Sequence, residues 1–258
     1  MWEEAYPKHT LVSEAVNACK ANKKLFYAKG LVNAILRRVI DSPTLIDEVI
    51  EDQFPPYPSW WVRKLDEAYS HKSKDIIRAS QYLAPMTLRF NQQMLSLQEK
   101  EKYLEELSVA GIEVKPITQV NAVVIRSAYR LTAPRPVEQI PGFLDGRCSV
   151  QDASAQLPPV LLRDLTGKRV LDACAAPGGK AAHLLETMEL SLDALELDPL
   201  RAEKIRENLE RLNLKARVLV GDASLDNWWD GQLYDAIIAD VPCSASGIVR
   251  RHPDIPYL

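Results

Sequence analysis

Residues 168–185, KRVLDACAAPGGKAAHLL, decide how this chain folds. Arg169 to Ala173 is a short apolar run bounded by a turn, the pattern of a buried strand. The loop Cys174-Ala175-Ala176-Pro177-Gly178-Gly179-Lys180 follows, and then a helical run from Ala181 to Leu185. A strand, a glycine loop and a helix N-terminus form a ligand platform. Small residues admit a ligand close to the backbone, and free N–H groups point at it. A Walker phosphate loop is excluded, because Cys174 occupies the place of the first glycine and Ala181 that of the magnesium-binding Ser or Thr. The dinucleotide pattern GxGxxG is absent as well. A glycine pair is also what an ordinary left-handed turn uses, so the residues downstream carry the reading.

There, strands and helices alternate. Leu192 to Leu197 reads as a second strand, Ala216 to Val220 as a third and Tyr234 to Ala239 as a fourth. Between them Ala202, Ile205, Leu209 and Leu212 form the inner stripe of a helix, with Glu207 four residues before Arg211 for solvent-side support. This alternation predicts a parallel, doubly wound α/β sheet whose ligands sit at the carboxyl ends of its strands. Acidic residues stand at three of those ends. Glu196 lies about 20 residues past the glycine loop, where a carboxylate accepts both ribose hydroxyls of a nucleoside; Asp198 competes for the role but leaves the strand later. Asp222 follows the third strand, where an acceptor for an adenine amino group would sit, and Asp240 follows the fourth. Each alone would serve as a helix cap; together, beside one glycine loop, they outline a nucleoside site. The fourth strand runs into Asp240-Val241-Pro242-Cys243-Ser244, which sets a thiol next to a carboxylate on a strand-end loop.

The preceding residues are of different character. Leu31, Val32, Ile35, Leu36, Val39 and Ile40 share one helix face, Leu11 to Lys20 reads as another helix, and Pro43, Pro55, Pro56 and Pro58 punctuate the path before a helix that Ser59 is placed to cap. Lys23, Lys24, Arg37 and Arg38 either touch RNA or line a solvated face. Next come a strand at Thr87 to Asn91, a helix opened by the capping box Ser96…Glu99 and ended by Gly111, and strands at Ile112 to Lys115 and Ala122 to Arg126. This is a compact α+β module, on which Arg89, Arg126 and Arg130 are candidate RNA contacts, with packing against the next domain the role the sequence favours. In the cluster Val150 to Gln156, Asp152 or Ser154 is placed to cap a following helix.

The chain's 258 residues leave room for two or three small domains, and 47% hydrophobic with 26% charged residues is a globular mixture. A formal net charge of -3 excludes whole-surface attraction to nucleic acid but leaves room for a basic groove. Cys19, Cys148, Cys174 and Cys243 show no zinc-ligand spacing, so no metal is expected and reduced thiols are. No apolar stretch approaches the ~20 residues of a membrane span. A soluble cytoplasmic protein is expected.

The loop Cys174 to Lys180 together with Asp240-Val241-Pro242-Cys243-Ser244 resembles the cytosine-C5 RNA methyltransferases that use S-adenosylmethionine. Lys29 to Arg37, Pro141-Gly142-Phe143, Gln151 to Gln156 and Arg250 to Asp254 are similar to the bacterial Fmu/Sun type, which acts on small-subunit ribosomal RNA. The resemblance covers nearly the whole chain. It implies a Rossmann-like methyltransferase domain at 136–258, the α+β module at 83–135 and a NusB-like helical RNA-binding domain at 1–82. It implies cofactor contacts from Cys174, Ala175, Ala176, Pro177, Gly178, Gly179, Lys180, Glu196, Asp222 and Asp240, with Asp240 and Cys243 catalytic. In that family a thiolate adds to C6 of the base so that C5 can take the methyl group, and the attacking thiol usually lies in a later Thr-Cys motif. The Pro-Cys thiol, here Cys243, serves product release. The sequence shows only four strands of a methyltransferase sheet that normally has seven, no Thr-Cys pair and a start partway into the helical domain. It therefore reads as a fragment, inactive alone, of an enzyme that is a monomer when intact. A non-catalytic RNA-binding module and a methyltransferase for another RNA are the alternative readings.

Overall fold

The computed structural model describes residues 7–42, 57–162 and 164–258, so Pro43, Pro55, Pro56 and residues 1–4 lie outside the described part. The chain divides into two compact units, Met1–Leu83 with Ser246–Leu258, and Ala84–Ala245.

The first unit is helical: α1 (Lys8–Ala21), α2 (Lys29–Asp41), α3 (Ser59–Tyr69) and α4 (Ser73–Ser80). Ser59 does not cap α3. Pro58 holds the cap position, its carbonyl accepting the Trp61 and Val62 N–H groups (2.9 and 3.2 Å), and Ser59 is already helical. The apolar stripe of α2 forms as its spacing predicts, yet none of its residues is fully buried, and Leu31 and Ile35 are more than half exposed. Arg250 reaches back within this unit to the carbonyls of Tyr82 and Leu83 (3.1 and 2.5 Å).

The second unit begins with an antiparallel sheet of β1 (Thr87–Phe90), β2 (Val114–Val120), β3 (Val123–Leu131) and β4 (Cys148–Val150), in the order β2-β3-β1-β4. The helix α5 (Leu97–Val109) covers one face. Its capping box forms in full, with Ser96 N–H donating to Glu99 Oε2 (2.8 Å) and Glu99 N–H to Ser96 Oγ (3.4 Å). Gly111, at φ +70°, ends it: the Gly111 and Ile112 N–H groups bond the carbonyls of Ser108 and Leu107. Tyr103 and Leu107 of α5 pack on Leu88, Phe90 and Tyr129, whose rings stack at 4.1 Å for the Phe90–Tyr129 pair. Each large apolar side chain so buried contributes about 1.5–3 kcal/mol. The strand β4 has no counterpart in the sequence reading; three residues are too few for a period-2 pattern to declare itself. Neither Asp152 nor Ser154 caps the short helix α6 (Leu157–Leu161) or the turn before it, both of which lack a side-chain cap bond.

The parallel sheet consists of β5 (Arg169–Ala173), β6 (Ser191–Glu196), β7 (Arg217–Val220) and β8 (Ala236–Ile238), in the order β7-β6-β5-β8. The chain runs outward from β5 through β6 to β7 and returns on the other side as β8, so the strand order reverses at β5. A crevice at the carboxyl end of such a switch point is where open α/β sheets take ligands. On one face Val170, Leu192, Ala194 and Ile238 pack against α7 (Gly179–Thr187) and α8 (Pro199–Arg211), whose stripe Ala202, Ile205, Leu209 and Leu212 is buried as its spacing predicts. On the other, Leu171, Ala173 and Leu195 meet Leu219, Trp228 and Tyr234. The expected Glu207–Arg211 support is not made. Glu207 pairs with Lys204 instead, while Arg211 turns inward to the carbonyls of Phe143 and Cys148 (2.6 and 3.0 Å) and to Ser149 Oγ (3.0 Å), tying α8 to β4. Partly buried carbonyls outbid a solvated carboxylate for the guanidinium.

Candidate functional site

The loop after β5 folds back over the carboxyl end of the sheet. The Cys174 and Ala175 N–H groups both donate to Leu195 O (2.9 Å each), which ends β5 against its neighbour. Cys174 holds φ +89° and the Ala176–Pro177 bond is cis. Gly178, at φ +92°, occupies the cap position of α7, and a Cβ there would also press on Ile205 (3.3 Å from Cγ2). The first helical hydrogen bond is Ala182 N–H to Gly178 O (2.8 Å), so the N–H groups of Gly179 and Lys180 precede it and face the crevice end unspent by the helix.

Glu196, at the end of β6, is buried and aimed at this loop. Its carboxylate accepts Ala176 N–H (3.2 Å), Asp198 N–H (3.3 Å) and Arg201 Nη1 (3.3 Å). The competing Asp198 is engaged as the cap of α8, accepting Leu200 N–H (2.8 Å). Arg201 also donates to Ala176 O (3.3 Å), closing a ring of contacts around the loop that the sequence did not announce. Asp222 curls onto Ser224, accepting its N–H and hydroxyl (2.8 and 2.7 Å), and these bonds hold its carboxyl below the usual range. Beside it Gly221 lies so close to Trp228 that an added Cβ would fall 2.9 Å from the Trp228 Cβ.

The fourth strand's carboxylate, Asp240, is exposed and pairs with Lys180 of the loop. Cys243 is exposed as well, its Sγ accepting Ala245 N–H at 3.3 Å. Burial, with help from Glu196 and Asp172, pushes the Cys174 thiol up, so it rests as a neutral thiol rather than a nucleophile.

The residue that the sequence reading passed over is Asp172. It sits inside β5, almost wholly shut off from solvent, and neither carboxylate oxygen has a hydrogen-bond partner. Burial pushes its carboxyl up to about 6, against the pull of Lys180 and of the Ala181 N–H, which falls short of hydrogen-bonding geometry, and with a further push from Asp240. An acidic residue inside a mostly apolar strand was the available signal. Burying an unpaired carboxylate is costly, so its presence there points to a partner that arrives from outside.

Of the candidate RNA contacts, Lys23, Lys24, Arg37, Arg38, Arg126 and Arg130 are exposed. Arg89 is not: it is fully buried against Glu186, because a strand position packed on a helix leaves a cation no route to water. Among the described residues no cluster of three His, Cys, Asp or Glu side chains is arranged to hold a metal, and no helix is long and apolar enough to cross a membrane.

Residues 159–258 match the family model described as 16S rRNA methyltransferase RsmB/F, and residues 57–137 match that of its ferredoxin-like domain. The chain is 40% identical over 254 residues to ribosomal RNA small subunit methyltransferase B of Shewanella oneidensis, covering 98% of this chain and 57% of that protein. The namesake of Vibrio cholerae is 40% identical over 257 residues, with the same coverage. The chain thus spans a little over half the length of these relatives. Among solved structures, a methyltransferase homologue from Pyrococcus horikoshii superposes with a TM-score of 0.63 at 28% identity, covering 81% of this chain and 66% of that one.

Proposed function

Because the chain belongs to the RsmB/F family of methyltransferases, we propose that its parallel sheet holds S-adenosylmethionine over the end of β5. The whole enzyme then transfers the methyl group to C5 of a cytosine in small-subunit ribosomal RNA, in the cytoplasm. The observation that carries this reading is the unpartnered, buried carboxylate of Asp172 facing the same loop as Glu196. The donor bears positive charge on its sulfonium and amino groups, a carboxylate, a ribose diol and an aminopurine. Asp172 suits the positive end, the free N–H groups of Gly179 and Lys180 suit the carboxylate, Glu196 suits the diol and Asp222 the amino group. Cys174 to Pro177 line the backbone of the cradle.

When bound, S-adenosylmethionine supplies an electrophilic methyl group. The remaining chemistry belongs to the protein. C5 of cytosine is a weak nucleophile until a thiolate adds at C6, forming a C–S bond and leaving an enamine-like ring. Asp240, at the crevice mouth, supports the ring nitrogen and amino group during that addition. After methyl transfer a base removes the C5 proton and the C–S bond breaks to release the thiolate. We assign Cys243 to product release, with the attacking thiol supplied by a Thr-Cys motif that these 258 residues do not contain. The target base must be unstacked to reach the crevice. Residues 1–82, as a NusB-like helical domain, and the module at 83–135 are assigned to holding the RNA, with 136–258 as the methyltransferase domain.

Calorimetric titration of S-adenosylhomocysteine into folded 1–258 tests the premise. Saturable uptake is expected, and Glu196→Gln is expected to weaken it by about tenfold or more, the worth of a charge-assisted hydrogen bond. A folded wild-type chain that takes up no ligand overturns the reading.

A further inference from the structure

Arg89 has no place in that scheme, yet it is among the most thoroughly buried side chains of the molecule. It springs from the antiparallel sheet, where β1 is held between β3 and β4. Its guanidinium makes four hydrogen bonds on the methyltransferase side. Nε and Nη2 grip the two oxygens of Glu186 (2.9 and 2.6 Å), and Nη1 donates to Gln151 Oε1 (2.6 Å) and to the carbonyl of Gly179 (2.9 Å). Gln151 then donates to that same Gly179 carbonyl (3.3 Å) and to Ala155 O (3.1 Å). Gln156 supports Gln151 from below, donating to its carbonyl (3.1 Å) while accepting the Ser127 hydroxyl of β3 (3.1 Å). The adjoining His183 stays neutral, since burial and the Arg89 charge drive it down to about 3, and Glu186 carries the balancing negative charge.

Glu186 and Gly179 lie at opposite ends of α7, so one guanidinium straps the helix along its length. A peptide unit is planar: fixing the direction of the Gly179 carbonyl fixes the Lys180 N–H, which points the opposite way. That N–H is one of the donors left free at the start of α7 and facing the proposed cradle. A bond to Glu186 alone would hold the helix; the bonds to Gly179 reach the loop itself.

We infer that Arg89, with Gln151 as its second, is a positioning residue that aims the glycine-loop N–H groups. The affinity of the loop for its adenosyl ligand therefore depends on the neighbouring antiparallel sheet. This rests on the reading of the loop as the S-adenosylmethionine cradle. It also gives the cluster Gln151 to Gln156 a role other than helix capping.

The test separates holding the fold from aiming the loop. Arg89→Met alone leaves Glu186 charged, buried and unpaired, and is expected to melt well below the wild type. Arg89→Met combined with Glu186→Met removes both charges at similar volume and is expected to recover the melting temperature. The double variant should still exchange its amide hydrogens at residues 178–182 faster than the wild type, and bind S-adenosylhomocysteine about tenfold more weakly or worse. Arg89→Lys, which keeps the charge but not the planar fork, is expected to show the same exchange pattern. Wild-type exchange and wild-type affinity in the double variant, or in Arg89→Lys if the double variant does not fold, would overturn the inference. Absence of S-adenosylhomocysteine binding in the wild type would instead condemn the cradle, while the exchange comparison still judges the strap.

Discussion

Asp172 and Asp193 stand one register step apart on adjacent strands, both closed off from solvent, and they have opposite fates. Asp172 pairs in register with Ala194, and Leu171 with Asp193, so the two carboxylates point to opposite faces of the sheet. Asp193 is surrounded. Arg169 Nη2 (2.8 Å), Arg217 Nε and Nη2 (2.8 and 2.5 Å) and the Tyr234 hydroxyl (2.6 Å) all donate to it, and Asp230 pairs with both arginines from outside. Burial pulls its carboxyl up, but hydrogen bonds from Arg217, Tyr234 and Arg169 win and hold it at about 2. Asp172 has no such partners and rises to about 6. The same residue type at matched burial staples the sheet on one face and is left waiting on the other. Solvation cost is common to both; what differs is whether the protein supplies the counter-charge, and at a ligand site it does not.

The largest effect is expected where the paired carboxylate is removed. Asp193→Asn keeps the shape but leaves two guanidiniums facing an amide, and should lower unfolding stability by about 3 kcal/mol. The pH dependence has a definite sign. A carboxyl whose folded pKa is depressed contributes stability above its ordinary value near 3.8, and that contribution is lost as pH falls toward about 2. Urea unfolding at a series of acid pH values should show this loss in the wild type and a much smaller one in Asp193→Asn. Equal acid profiles would break the contrast at its stapled end.

Asp172→Asn should act the other way. With its folded pKa raised, Asp172 favours the folded state fully only below about pH 4, and that advantage is lost as pH rises through about 6. Neutralising it is expected to raise stability at pH 7 by about 2 kcal/mol, and to flatten the fall between pH 4 and 6 that the wild type should show. S-adenosylhomocysteine affinity should drop in the same variant, a gain in stability at the expense of binding. A variant that is both more stable and unchanged in binding would mean that the orphaned carboxylate waits for nothing at this site.

How much of this was visible in the sequence follows from how local each signal is. The glycine loop, the strand-end acids and the Ser96…Glu99 and Gly111 helix ends are written within a few residues of one another, and the structure forms the loop and both helix ends. Packing of Arg89 against the next domain is the role the sequence favours and the one it takes, but its partner Glu186 lies 97 residues away, and no single-chain pattern joins them. A separation of 63 to 68 residues likewise hid the turn of Arg211 from Glu207 to the carbonyls of Phe143 and Cys148. Asp172 was hidden differently, absorbed into an apolar strand pattern whose one acidic member was the informative one. Periodicity reports the average side chain of an element, whereas a site depends on the exception.

The finest test of the contrast between the two faces is Tyr234→Phe. The ring lies under the Arg169 guanidinium, 4.4 Å from centroid to Cζ, and phenylalanine keeps that contact, so what is lost is the hydroxyl's bond to Asp193 and the long one it accepts from Arg169 Nη2 (3.5 Å). A loss of about 1 kcal/mol is expected, since two arginines still serve the carboxylate. Because Tyr234 packs on the face with Leu171 and Leu195, away from Asp172, S-adenosylhomocysteine affinity should not change. A matching fall in affinity would mean that strain crosses the sheet from the stapled face to the waiting one, and that the two carboxylates belong to a single coupled system.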